Sequence, residues 1–222
     1  MTETSTSHDP PSPAASATPE ERLVLEMWRT PVYQADCTGA ARHLPDLRTL
    51  ILDGGGDGHA DGPGGPIASP PTMLTRDHPS IDWLRHEIGL AGRTLARAVL
   101  GEAADEIPDH EVHTEAWALV CRPGEPFRPH TRHDAAWSGL LSVAADPSVD
   151  ADAGHLELLD PRPAAVTRDA SPGAVHYTPV PGRMIAFPGW QANWMRATTT
   201  HLRLRVAIAW NIVYHQPRSR TS

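Results

Sequence analysis

From Ile107 onward the chain breaks into short apolar runs: "EVHTEAWALVC", "AAWSGLLSVAA", "GHLELLD", "AVHYTPV", "GRMIAFPG", "NWMRAT" and "LRLRVAIAWNIVY". Proline, glycine and aspartate divide them. Each run has strand length and each divider is turn chemistry, so this half predicts an all-β barrel or sandwich. The preceding half reads differently. "AARHLPDLRTLILD" (40–53) sets Ala41, Leu44, Leu47, Leu50 and Ile51 at helical spacing, with Pro45 expected near the first turn. "SIDWLRHEIGLAGRTLARAVLGEA" (80–103) is the clearest helix, with Ser80 as its expected N-cap. Strand and helix signals are segregated rather than alternating, which excludes a doubly wound parallel sheet. The expected fold class is α+β, mainly β, with N-terminal helices packed on a C-terminal β core.

A length of 222 residues suits one domain with a tail. Residues 1–20 are rich in Ser, Thr, Pro and Ala and have little to bury, so they read as a disordered tail. The domain is expected over 21–215, opening on a strand-forming segment at 22–34, and 216–222 as a flexible end. The glycine-rich run beginning at Gly54 reads as a loop, and 54–68 is where a lid over a pocket is expected.

A formal charge of −8 argues against a nucleic-acid surface, which needs a basic stripe. The basic residues are all arginine, as a GC-rich bacterial genome would produce. Cys37 and Cys121 offer neither a disulfide framework nor a paired-cysteine zinc pattern. No run approaches the roughly 18 apolar residues that span a bilayer, and the N-terminus has no basic start followed by an apolar stretch. The expectation is a cytoplasmic protein with a small-molecule partner, no nucleic acid and no membrane, and homodimerisation as an option.

Three places in the β half carry ligand-type residues. "RPHTRHDAAWSG" (128–139) packs His130, His133 and Asp134 into five residues. "FPGWQANWMRA" (187–197) is a tryptophan-rich strand–turn–strand. In "HLRLRVAIAWN" (201–211), Arg203 and Arg205 fall on one strand face and Leu204, Val206 and Ile208 on the other. An arginine pointing into a barrel is costly without an anion, so an inward Arg205 implies a bound carboxylate.

Six segments, in order, give the chain a resemblance. "WRTPVYQADC", "EAWALVCRPGEPFRPH", "WSGLLSV", "GHLELLDPRP", "PGRMIAFPGW" and "RVAIAWN" resemble a family of 2-oxoglutarate- and Fe(II)-dependent oxygenases with the double-stranded β-helix (jelly-roll, cupin-like) fold. The resemblance implies Fe(II) held by two histidines and a carboxylate, with 2-oxoglutarate as cosubstrate. It places His130 at the first metal ligand and Arg205 at the clamp for the distal carboxylate of 2-oxoglutarate. The second ligand position falls on Arg132 and the third on Asn193, neither an ordinary iron ligand.

Asp134 is the nearest carboxylate to His130. In a straight strand four residues at roughly 3.3 Å each would hold the two about 13 Å apart, so a bend or bulge is needed to bring them to one ion. Arg132, Trp137, Asn193 and Trp194 are the expected substrate-pocket residues. Three functions follow. One is an atypical Fe(II)/2-oxoglutarate oxygenase acting on a small metabolite or amino-acid-derived substrate, with His130 and Asp134 on the metal. The second is a metal-independent descendant using His130 and Asp134 as acid–base groups. The third is a binding protein without turnover.

Overall fold

In the computed structural model the described residues are 29–53, 59–60, 67–122, 124, 127–145, 154–161, 173–197 and 204–215. In chain order the elements are β1 (Tyr33–Asp36), α1 (Ala40–Asp53), β2 (His59–Ala60), β3 (Ile67–Ala68), α2 (Pro79–Leu100), β4 (Val112–Cys121), β5 (Phe127–His130), β6 (Trp137–Ala144), β7 (Leu156–Leu159), β8 (Ala174–Tyr177), β9 (Arg183–Pro188), β10 (Asn193–Met195) and β11 (Arg205–Tyr214). The expected tail, most of the glycine-rich loop, Arg203, His201 and the C-terminal end lie outside the described residues. So does most of the segment expected to form the opening strand, and β1 starts near its end, at Tyr33.

Among the described residues the strands form two sheets. The larger runs β1-β9-β6-β11-β4-β3-β2 and the smaller β5-β10-β7-β8. Every ladder between these strands is antiparallel. The longest is β11 with β4, paired from Arg205 opposite Cys121 to Tyr214 opposite Val112. Each apolar run that the sequence marks after Ile107 becomes one strand.

Strand alternation gives the larger sheet two different faces. On β11, Val206, Ile208, Trp210 and Ile212 join the core shared with the helices. Ala207 faces the other way, into a second core built with Trp117, Leu119 and Leu140 from the larger sheet and Leu156, Leu158 and Met195 from the smaller. The helices therefore cover one face, and the smaller sheet covers the other.

Both helices keep most of their expected extent, with local corrections. α1 takes Pro45 into its interior, beyond the first turn, and forgoes a backbone bond there. α2 is capped by His78 rather than Ser80: the imidazole Nδ1 accepts from the Ser80 amide at 3.1 Å, with Pro79 at the first helical position. Ser80 is fully buried instead and donates its hydroxyl to Asp46 at 3.1 Å. α2 lies so close to the sheet that a Cβ at Gly92 would sit 2.4 Å from the Ile212 side chain. Only glycine allows that approach.

Candidate active site

Between the two sheets lies a cleft with about 420 Å³ of empty space, part of it open to solvent. Its floor on the larger sheet is apolar at Trp117, Leu119, Leu140 and Phe187 and polar at Ser138 and Asn211. The smaller sheet contributes His130 and Asn193, with Leu156 and Met195 beneath them, and Arg132 enters from the loop after β5. Apolar walls with a few converging polar groups are the usual composition of a small-molecule site.

β-Pairing brings His130 and Asn193 together. They are direct partners between β5 and β10, although 63 residues separate them in the chain. The Asn193 amide nitrogen donates to the carbonyls of His130 at 3.3 Å and Gln191 at 3.2 Å. The His130 Nδ1 lies 3.0 Å from the Arg128 carbonyl. A carbonyl only accepts, so Nδ1 carries the proton in this contact.

Arg132 is held from its backbone. Its amide donates to the Gly189 carbonyl at 2.7 Å, and its own carbonyl accepts from the Ala135 amide at 2.9 Å. A Cβ at Gly189 would stand 2.4 Å from the Arg132 carbonyl oxygen and 2.2 Å from that of Ala135, so residue 189 must be glycine for this loop to seat. The Arg132 guanidinium carbon lies 5.3 Å from the centroid of the Trp117 ring, within cation–π range.

On the opposite wall a buried polar chain runs across three strands. Ser138 donates its hydroxyl to the Asn211 amide oxygen at 2.7 Å, and the Asn211 amide nitrogen donates to Glu115 at 3.0 Å. The chain fixes the direction of the Asn211 amide and leaves the wall uncharged where it meets the cleft.

Arg205 starts β11 on the strand face shared with the cleft residues Ala209 and Asn211, lies outside the cleft lining and is only 3 % exposed. One guanidinium nitrogen donates to the Gly154 carbonyl, while its Nε is buried with no hydrogen-bond partner. Burial pulls its pKa below the usual arginine range, with the neighbouring Cys121 thiol acting weakly in the other direction.

The remaining expected site residues lie elsewhere. Asp134 is exposed in the turn after Arg132 and does not line the cleft, because the chain leaves β5 at His130 and turns outward. His133 is exposed beside it. Trp137 points to the helix side of β6, where its indole donates to the Tyr214 hydroxyl at 2.9 Å. Trp194 points out of the smaller sheet, opposite to its neighbours Asn193 and Met195, and its indole donates to Glu157. Trp117 lines the cleft floor instead. Its signal was period-2 alternation, since Trp117 shares a face of β4 with Leu119 and Cys121. Ser138 carried no signal of its own, and Asn211 stood out only as the end of a motif.

Glu157 is a buried carboxylate that sequence reasoning passed over. It is 2 % exposed, ion-paired with Arg196, and 3.3 Å from His176. His176 thereby has a structural partner on the outer face of the smaller sheet.

No protein-family model matches the sequence, and no curated protein matches it either. Solved structures do match. A prolyl-4-hydroxylase from Pseudomonas putida aligns over 84 % of this chain and 93 % of its own, at 13 % identity and a TM-score of 0.59. A prolyl hydroxylase from Trichoplax adhaerens, solved with a hypoxia inducible factor oxygen degradation domain peptide, covers 86 % and 87 % at 10 % identity and 0.59. The epimerase SnoN, solved with Fe3+, α-ketoglutarate and nogalamycin RO, covers 87 % and 88 % at 15 % identity and 0.53. The fold is that of the 2-oxoglutarate-dependent oxygenases. It is the double-stranded β-helix, and the cleft lies between its two sheets.

On this oxygenase fold the described residues do not fit a facial-triad iron. Among the described residues no group of three His, Cys, Asp or Glu side chains is placed to hold a metal ion. His130 supplies one imidazole. Beside it stand the Asn193 amide, whose oxygen is a weak iron ligand, and a guanidinium, which has no lone pair to give.

Proposed function

We propose that this chain is a small-molecule enzyme of the oxygenase fold that acts on an organic acid without a facial-triad iron. The substrate is a small metabolite or amino-acid-derived acid, and 2-oxoglutarate is the first candidate ligand. The observation that carries the reading is the cleft's set of polar groups: one imidazole, one amide and one guanidinium where iron would need three donors. Arg205 supports the acid half of the reading, since an anion would offset the cost of burying its charge. His130 is the group that moves a proton. Its Nδ1 is held on the Arg128 carbonyl, which orients the ring in the cleft. Asn193, Ser138 and Asn211 orient the ligand by hydrogen bonds. The apolar floor excludes water from it.

A second reading, an iron-dependent oxygenase with an incomplete site, is favoured by one observation. Arg205 stands at the start of β11 on the cleft side, where the family resemblance puts the 2-oxoglutarate clamp. The two readings separate in one experiment. The purified chain is titrated with 2-oxoglutarate in EDTA and again with Fe(II) under air, with succinate measured. The first reading expects binding in EDTA and no Fe(II)-dependent succinate. Succinate released in proportion to added Fe(II) would sink it in favour of the second.

A further inference from the structure

Arg132 is the cleft's least explained group. Its side chain is half-buried in the cleft with His130, Asn193, Ser138, Asn211 and the face of Trp117. Its Nε is buried with no hydrogen-bond partner, and no described carboxylate pairs with it. The contact with Trp117 orients the guanidinium plane without neutralising the charge. The loop that carries it is pinned at Gly189, which fixes where the side chain leaves the backbone. A guanidinium with a buried, unpaired Nε loses hydration on that side, and an anion entering the cleft would offset that loss.

From this we infer that Arg132 is an anion-recognition residue, and that it takes over the charge role a metal ion would have in this fold. The ligand class is then a small dicarboxylate, with one carboxylate on Arg132 near His130 and the other directed to Arg205. A planar guanidinium can take a carboxylate through two parallel N–H donors, and the Trp117 face would hold it in that orientation. Ligand binding is consequently independent of divalent metal. The inference rests on the reading that the cleft binds a small organic acid.

The test is isothermal titration of the full chain with 2-oxoglutarate in EDTA, for the wild type and for Arg132→Met, Arg132→Lys and Arg205→Met, each checked for folding by thermal melting. The expected result is binding by the wild type and a loss of at least about tenfold in Arg132→Met, with a smaller loss in Arg132→Lys, which keeps the charge but not the fork. A monocarboxylate probe, 2-oxovalerate, should lose affinity in Arg132→Met and be indifferent to Arg205→Met. Unchanged 2-oxoglutarate affinity in Arg132→Met, with loss in Arg205→Met, would overturn the role of Arg132 and leave the cleft reading standing. Binding that appears only when Mn(II) is added would overturn the metal-independent role. No binding by the wild type in either buffer would overturn both the inference and the reading beneath it.

Discussion

One strand, β11, builds two regions of opposite character. Its helix-side residues, Val206, Ile208, Trp210 and Ile212, are each no more than 3 % exposed in a continuous apolar core. Its other face carries Arg205, Ala207, Ala209 and Asn211: two polar groups separated by two small ones. Large side chains on one face close the helix layer on to the sheet. Small side chains on the other leave the space that becomes the cleft, and the polar ends mark where a ligand could be held. Stability and function are therefore separated by strand parity, and substitutions on the two faces should fail in different ways.

The largest effect should come from the helix side. Trp210 is fully buried, and replacing it with alanine should cost about 3–5 kcal/mol, seen as a lowered denaturation midpoint. Trp210→Phe should cost far less, because the indole N–H that it removes is buried without a partner. On the cleft side Trp117→Leu should lower the midpoint less than Trp210→Ala does and weaken ligand binding. Equal destabilisation by Trp117→Leu and Trp210→Ala would break the division between the faces.

The next prediction concerns what the cleft side lacks. His130 and Asn193 are already cross-strand neighbours and Arg132 shares their cleft. The double substitution Arg132→His with Asn193→His supplies two imidazoles where a guanidinium and an amide now stand. Ni(II) affinity should rise by about a hundredfold or more over the wild type, measured by calorimetry in metal-free buffer, because each imidazole adds a donor that a guanidinium cannot. Asn193→His alone should give a smaller gain. No gain in the double variant would mean that the loop from Thr131 to Ala136, rather than the side-chain types, keeps metal out.

Much of this was legible in the sequence, and the unread parts share a cause. The β rhythm after Ile107, both helices and the separation of Arg205 from Leu204, Val206 and Ile208 followed from periodicity, because period is a property of neighbours in the chain. Asp134 was expected near His130 because the two are close in sequence. The chain instead leaves the sheet at His130, and the turn carries Asp134 into solvent. Trp137 and Trp194 were expected at the cleft because tryptophan is a frequent pocket residue. Strand parity turns each away, Trp137 to Tyr214 and Trp194 to Glu157. The partner sets of Arg132, Ser138 and Glu157 depend on which strands pair across dozens of residues, and no local pattern encodes that.

A smaller effect tests the helix side by pH. Cys37 is buried beneath the helices, and burial, reinforced by the Glu87 carboxylate, pushes its thiol up to about 12 from 9.0. Below pH 9 the thiol is protonated in both folded and unfolded chains and contributes no pH dependence. As pH rises from about 9 towards about 12, the unfolded chain releases this proton and the folded chain keeps it, so stability falls. The slope from this group is at most about 1.4 kcal/mol per pH unit. Cys37→Ala should flatten the alkaline limb of a denaturation-against-pH curve by part of that slope, and native Cys37 should resist alkylation at pH 8 until the chain unfolds. Rapid labelling of native Cys37 would show that the helix layer opens readily.

The smallest effect belongs to the edge strand β1, where Arg183 reaches across to Asp36 with its Nε 2.7 Å from one carboxylate oxygen. The hydrogen bond from Arg183 holds the Asp36 carboxyl below its usual range, although Asp36 is exposed. A folded pKa below the unfolded one stabilises above the unfolded value and is lost as pH falls through the folded value. Water and salt screen an exposed pair, so Asp36→Asn should move the midpoint very little at pH 7. Its melting curve and that of the wild type should converge further in acid, where the wild-type carboxylate is protonated as well. A large shift at neutral pH would instead show that β1 is held to β9 by this pair more than by its backbone ladder. The helix-side face would then depend on its edge as well as on the packing around Trp210.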